Sequence, residues 1–461
     1  AGIASTLPGL PHRQSFPAPG LVEHDAGDLL ANVRATADAA IRAGATSLGL
    51  ANQGETVIAW NRDTGEPLAP AIVWQDQRTA SAIGRLASDG VAAEVAARSG
   101  LPLDCYFSAS KLRWLLNNAP GAHKLAARGR LGLGTSDSYF IERLTGRYAT
   151  DPTTASRTSL MNLAGCTWDE QLGEIFGVPV ELLPEIVDDR RPVGELRTDA
   201  GTATLHAGAV DQVAALYGHG CRTIGSGKVT IGTGAFALIV ASEGPPQSMP
   251  TGSVPSAAWL SRNSRVYAAD GGVYSAAAAV DWLLRIGVLR DHAELADLAG
   301  ESAASHGAFF VPALAGLAFP HWDRTATGLL IGLDVGTSRE TVIKAVLEGI
   351  AFRITEVLDG LGFAPQTPVP IDGGLSRSNY FTQFLADVSG RSLLLRDDVE
   401  VTSLGVAQLA AACAAGVDAG STPAFDGRAA SRIDPSLPPA RAAEWRGRFA
   451  EVLDRARGWR R

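Results

Sequence analysis

The residues best placed to do chemistry in this sequence are one aspartate and one glycine hairpin. In Leu205-His206-Ala207-Gly208-Ala209-Val210-Asp211-Gln212-Val213, small residues deliver a single acid to the start of a helical run predicted from Gln212 to Tyr217. A carboxylate there sits near the positive end of the helix and its backbone N–H groups. It is expected to stay ionised and to accept a proton from a substrate hydroxyl. Downstream, two β-rich arms, Lys228 to Ile231 and Ala235 to Val240, are joined through Gly232-Thr233-Gly234. Such a tip lets main-chain amides approach an anion closely, as phosphate-binding nests do. Base and phosphate cradle, about twenty residues apart, together describe phosphoryl transfer to an alcohol. Taken singly, they also describe an N-cap aspartate and an ordinary glycine hairpin.

These groups need elements to hold them. A helix is predicted from about Ala26 to Ala43, capped by Asp25. Strands over Thr46 to Ala51 and Thr56 to Trp60 flank Asn52-Gln53-Gly54-Glu55, and Ala71-Ile72-Val73-Trp74 reads as a further strand. Polar residues where buried strands end are where open α/β sheets bind ligands, and Glu55 and Trp74 both lie at such junctions. Helical pieces occupy Thr79 to Ala119, and a strand runs into a helix between Gly132 and Ile141, with Asp137 as its cap. Asp151 to Asn162 reads as a polar segment between ordered elements, and Gly194 to Thr204 as a loop leading to Asp211. Ser242 to Ser256 reads as a surface excursion. Ala269-Asp270-Gly271-Gly272 opens an Ala-rich helix to Ile286, and a long amphipathic helix spans Arg339 to Leu361. Val369-Pro370-Ile371 feeds Asp372-Gly373-Gly374, with helices from about Ser378 to Ser389 and from Thr402 to Ala415. The recurrence of strand, glycine turn and helix predicts two α/β domains, 1–218 and 219–461, divided near Gly218 to Gly220.

Composition narrows the function. A chain of 461 residues is too long for one core, and 46% hydrophobic with 19% charged residues is the balance of a soluble globular protein. A net charge of −8 and the lack of a basic run argue against a nucleic-acid partner. Cys105, Cys166, Cys221 and Cys413 form no CxxC pair, which points to a reducing compartment and away from structural zinc. With no long apolar span and no signal peptide, a cytoplasmic location without membrane attachment is expected. No G-x-G-x-x-G follows a strand, Gly227-Lys228 lacks the upstream glycine of a P-loop, and no G-x-S-x-G occurs.

In order along nearly the whole chain, the motifs resemble those of the FGGY carbohydrate kinases, which have the two-domain actin/hexokinase-like (ribonuclease H-like) fold, and most closely of the glycerol kinases among them. The resemblance is carried by Asn52-Gln53-Gly54-Glu55-Thr56, Ala71-Ile72-Val73-Trp74-Gln75, Tyr106-Phe107-Ser108 and Ala155-Ser156-Arg157-Thr158. Gly208 to Gln212, Gly232-Thr233-Gly234, Gly316 to Asp323 with Gly328, and Asp372-Gly373-Gly374 complete it.

The resemblance implies an α/β protein with a cleft between its domains that closes on substrate and excludes water. Asp211 is implied as the general base. Gly232, Thr233 and Gly234, with Mg²⁺, would grip the phosphates of ATP. Gly373, Gly374, Ser378 and Asn379 would line the adenine and ribose side. Glu55, Trp74, Tyr106, Asp211, Gln212 and Phe236 would hold a small polyol. The metal ligands are not assigned, and homodimer and homotetramer both stay open. Two departures stand out. Glycerol kinases carry Arg where this chain has Gly54, which removes a donor and leaves room; a tetritol or a ketopentose such as xylulose or ribulose is therefore the alternative acceptor. The family also opens on an Asp-Gln-Gly-Thr-Thr-like phosphate loop with no counterpart here. The expectation is that about 20–30 further residues precede the chain, enough for two strands and a turn. A sugar-binding homologue impaired in catalysis is the alternative of a different class.

Overall fold

The computed structural model describes residues 6–7, 9–187, 191–246, 249–250, 252–261, 264–395, 400–421 and 431–460. In the N-terminal half, Val57–Asn61 is buried from Val57 to Trp60 and lies inside an antiparallel sheet between Ala71–Ile72 and Leu131–Thr135. A second sheet sets Gly201–Val210 between Gly194–Thr198, antiparallel, and Ser47–Asn52, parallel. The stretch expected to be a loop before Asp211 is thus a hairpin. Its signal is alternation: Leu196 is buried between exposed Glu195 and Arg197, and Ala203 and Leu205 face the same way on the partner strand.

The C-terminal half is built on a mixed sheet in the order Val254–Ser261, Ser264–Val273, Ala235–Glu243, Gly227–Ile231, Val369–Asp372, Leu393–Leu395, Ser431–Ile433. Gly227–Ile231 and Val369–Asp372 run parallel, pairing Val229 with Ile371 and Thr230 with Asp372. Helix Arg339–Leu361 covers it. Ser338 caps its start by accepting from the Thr341 N–H, and Gly362 at φ 79° ends it. Among the described residues no helix is long and apolar enough to cross a membrane.

Tertiary packing overrode four sequence expectations. Ala269 to Gly272 is strand, because Ser264–Val273 is paired on both edges, and helix begins only at Ala277–Arg285. Ser253 to Ser256, expected at the surface, is buried where Val254–Ser261 enters the sheet. Asp151 to Ser159, expected as a polar connection, is buried throughout and contains helix Pro152–Ala155, with Asp151 accepting from the Thr153 and Thr154 N–H groups. Asp137 is buried inside helix Ser136–Thr145 rather than capping it.

The halves are joined where helix Asp211–Gly218 crosses helix Val401–Ala415. The two backbones nearly touch: a Cβ at Gly405 would lie 1.8 Å from the Ala214 carbonyl oxygen, and one at Gly218 2.2 Å from that of Val401. Glycine is required for that approach. The later helix thereby packs on Ser47–Asn52 and Gly201–Val210 of the first half, and one apolar cluster runs from Ala209 through Trp259 to Leu409. The start of the Asp211 helix is therefore held from both halves.

Candidate active site

Asp211 follows the last residue of strand Gly201–Val210 and opens helix Asp211–Gly218. Its carboxylate accepts from the Gln212 N–H at 2.7 Å. The structure brings Glu55, Trp74, Tyr106, Asp211, Gln212 and Phe236 to the wall of one cavity of about 110 Å³ between the two halves. The six come from five separate stretches of the chain: Glu55, Trp74, Tyr106, Asp211 with Gln212, and Phe236.

Charge in the cavity is organised by a residue that the family motif contains but that was given no role: Arg157. Its Nε donates to Glu55 Oε1 at 2.6 Å and its Nη1 to Asp270 Oδ2 at 2.8 Å and Ser256 Oγ at 3.1 Å. Glu55 itself is held at φ 58°, a left-handed conformation that glutamate adopts only under constraint. Burial pushes the Glu55 carboxyl up, against the opposing pull of Arg157 and Lys111. Burial likewise raises Asp270, opposed by Arg157 and Lys228. Paired charges of this kind persist inside proteins because each partner satisfies the other. Lys111, wholly buried, donates to the carbonyls of Cys105 at 2.9 Å and Tyr106 at 2.5 Å and so anchors the Tyr106 loop. Burial lowers it to about 8.

The apolar side is aromatic. Trp74 and Tyr106 meet edge to face at 5.4 Å, a favourable arrangement of ring quadrupoles. Phe236 fits because the glycines beside it lack side chains: a Cβ at Gly272 would stand 2.9 Å from its ring and one at Gly234 3.2 Å. Gly54 is not an open space. A Cβ there would lie 2.8 Å from Val210 Cγ2, so the valine takes the first part of the room that the missing side chain was expected to leave.

Gly232, Thr233 and Gly234 form the tip joining Gly227–Ile231 to Ala235–Glu243, with Thr233 exposed. The tip is fastened to the start of the next helix: Gly232 O accepts from Ala277 N, and Thr233 O from Ala276 N and Ala278 N. The turn at Gly373 and Gly374 adjoins it, since a Cβ on Gly373, at φ 97°, would meet Ile231 O at 2.3 Å. Both turns leave the carboxyl ends of parallel strands, where α/β sheets bind ligands. Gly373, Gly374 and Asn379 are exposed. Ser378 is not: it is buried, its hydroxyl donates to Leu295 O at 3.3 Å and accepts from Phe381 N at 3.4 Å as the cap of helix Asn379–Ser389. Ser378 therefore shapes the turn as a helix cap.

Asp211 departs from expectation in its electrostatics. Burial raises its carboxyl above the usual range, opposed by the Lys228 charge, the Gln212 N–H and Arg157. The helix start alone would have kept it low. A raised carboxylate is the stronger proton acceptor near neutral pH. Lys228, fully buried, donates to Gln212 Oε1 at 2.5 Å and Thr230 Oγ1 at 2.7 Å. Asp372 pairs with His219 Nε2 at 2.7 Å. Lys228 and Asp270 carried no local sequence signal: Lys228 is the lone charge of its strand, and Asp270 stands among alanines and glycines.

Two α/β units meeting at a cavity with an acid beside an amide, and with glycine turns on adjoining strand ends, define a kinase for a small hydroxylated acceptor. Residues 7–218 match the N-terminal domain of the FGGY family of carbohydrate kinases, and residues 227–414 its C-terminal domain. The chain is 40% identical to glycerol kinase of Thermus brockianus over 460 residues, covering 97% of this chain and 92% of that one. It is also 40% identical to glycerol kinase of Alkalilimnicola ehrlichii, with the same coverage. Its fold superposes on the crystal structure of Plasmodium falciparum glycerol kinase with ADP at a TM-score of 0.87 and 28% identity, over 97% of this chain and 92% of that one. It also matches the fold of xylulose kinase from Rhodospirillum rubrum, TM-score 0.80, over 96% and 91% of the two chains. The chain belongs to the FGGY family of carbohydrate kinases.

Proposed function

We propose that this kinase transfers the γ-phosphoryl group of ATP to a hydroxyl of glycerol or a closely similar short polyol, with Asp211 as general base. The observation that carries the reading is the pairing of Asp211 with Gln212 on the wall of the acceptor cavity. Its relatives support the acceptor, since the curated proteins at 40% identity are glycerol kinases. Asp211 takes the proton as the hydroxyl oxygen attacks phosphorus. Glu55 and Asp270, held by Arg157, accept from the remaining hydroxyls, while Trp74, Tyr106 and Phe236 cover the carbon edge. Gly232, Thr233 and Gly234 present main-chain donors to the phosphates, and Gly373, Gly374 and Asn379 border the nucleoside. We divide the acceptor-binding and ATP-binding domains at 218/219, a reading supported by the end of helix Asp211–Gly218 there.

Mg²⁺ would arrive on the nucleotide. Among the described residues no cluster of three or more His, Cys, Asp or Glu side chains is spaced to hold a metal ion. Mg²⁺ commonly needs no such cage, binding through one or two carboxylates, phosphate oxygens and waters. When bound it neutralises charge on the transferring phosphoryl group.

Val210 in the space beside Gly54 favours a short acceptor over a tetritol or ketopentose. An ADP-release assay across glycerol, tetritols and pentuloses tests the reading. Glycerol is expected to have the highest kcat/KM. A pentulose preference moves the substrate, and binding without turnover marks a sugar-binding homologue.

A further inference from the structure

Lys228 is the buried charge nearest the reaction that the mechanism above leaves without a task. Strand Gly227–Ile231 carries it in antiparallel register with Leu238, and its side chain is wholly enclosed. One contact reaches Gln212 Oε1 at 2.5 Å and another Thr230 Oγ1 at 2.7 Å. Thr230 is the register partner of Asp372, which pairs with His219, so Lys228 sits between the acceptor cavity and the strand end before Gly373. The charged or titratable groups facing Lys228 are Asp372, Asp211, Cys221 and Asp270; Asp211 is faced by Lys228 and Arg157, and lies close enough to Glu55 to raise it.

An ammonium has three donors and no acceptor. The atom of Gln212 that meets it must therefore be the carbonyl oxygen, which fixes an amide whose two ends are otherwise easily exchanged. With Oε1 spoken for, the NH₂ group of Gln212 is the end left for the cavity that Gln212 lines. Beside it stands Asp211, an acceptor. A hydroxyl lying between the two donates its proton to Asp211 and receives an N–H from Gln212 on a lone pair. Its proton and its nucleophilic lone pair are then assigned before ATP is engaged.

Resting on the proposed kinase reading, we infer that Lys228 is a positioning residue of the transfer: it orients the Gln212 amide as a donor to the acceptor hydroxyl and sets a positive charge behind Asp211. The ammonium is also the foremost influence holding the Asp211 carboxyl down against burial. Taking it away raises Asp211 further, so the base is lost to protonation at a higher pH.

Lys228→Met keeps an unbranched apolar stem and removes the charge. The acid limb of its kcat/KM–pH profile is expected to move to higher pH by about 1–3 units, as for loss of a neighbouring opposite charge. Its acceptor KM is expected to rise about tenfold, the equivalent of one lost hydrogen bond, with the KM for ATP moving less. Gln212→Met leaves Lys228 in place, so it should raise the acceptor KM and leave the acid limb where wild type has it. It also carries the test if Lys228→Met does not fold. An unmoved acid limb in folded Lys228→Met, or a wild-type acceptor KM in Gln212→Met, overturns the inference. Calorimetric acceptor affinity without ATP reads the Gln212 orientation independently of turnover. Wild-type protein that transfers no phosphate therefore counts against the kinase reading, whereas unchanged affinity in Lys228→Met counts against this one.

Discussion

The acceptor cavity and the two glycine turns beside it are built from opposite materials. The cavity is a side-chain construction. Arg157 pairs with Glu55 and Asp270 across sequence separations of 102 and 113 residues. The turns at Gly232–Gly234 and Gly373–Gly374 are main-chain constructions, in which absent side chains let strand ends and carbonyls approach. The contrast teaches where specificity and where tolerance should lie. A side-chain site discriminates among acceptors, because each buried polar group left unmatched by a wrong ligand is costly. A main-chain site is indifferent to polar replacements nearby but intolerant of an added Cβ at Gly234 and Gly373, where backbone oxygens stand 2.8 and 2.3 Å away.

The largest test falls on the cavity. Asp211→Asn is expected to lower kcat by roughly 10²–10⁴-fold, the usual contribution of a general base, while calorimetry still shows polyol and ATP binding. Near-normal turnover would remove Asp211 from the chemistry and leave the cavity a binding site only.

On the turns, Gly373→Ala places a Cβ 2.3 Å from Ile231 O at a residue with φ 97°. It should cost ~1–3 kcal/mol of stability, read from the urea midpoint, and raise the KM for ATP with little change in that for the acceptor. If the acceptor KM rises equally, the two regions are not separable and the contrast fails.

Gly54 and Val210 sharpen the contrast from within the cavity. Gly54→Arg alone drives its side chain against Val210 Cγ2 and should weaken every acceptor. Combined with Val210→Ala, it should raise the kcat/KM ratio of glycerol to a tetritol by roughly tenfold, the scale of one well-placed group. Identical selectivity in the single and double variants would show that the pair does not act together.

The smallest effect is expected behind the cavity. Burial, with Asp151 adding to it, pushes Asp137 up to about 7, well above the usual carboxylate range. A carboxyl raised on folding contributes stability below its unfolded pKa and loses it as pH rises through the folded value. Asp137→Asn abolishes that loss. It should gain roughly 1–4 kcal/mol over wild type at pH 8 and almost nothing at pH 4, measured by denaturant titration at both. A gain equal at the two pH values would mean that the effect is packing, not ionisation.

Much of the site was legible because its signals are local. Asp211 after a run of small residues, the Gly-Thr-Gly tip, Asp372-Gly373-Gly374 and the strand junctions at Glu55 and Trp74 need only a few neighbours to be read. Helix Arg339–Leu361 was equally plain from its spacing. Arg157 lay in a recognised motif without a role, since its partners Glu55, Ser256 and Asp270 are all distant in sequence. Ser378 emerged as a helix cap only in three dimensions, because a cap and a ligand contact look alike in sequence until the hydroxyl's partner is known.

By itself the sequence determined the α/β class, the family resemblance and which acid opens the helix, because propensity, period and motif are properties of short segments. The tertiary structure decided what those residues experience. It buried the polar run from Asp151 to Ser159, filled the space beside Gly54 with Val210, and lodged Lys228 against Gln212. It also reversed the electrostatics of Asp211. The local helix start favours the ionised form, whereas enclosure between the two halves withdraws water and raises the carboxyl, and desolvation, unlike a helix cap, has no signature in the residues next to it.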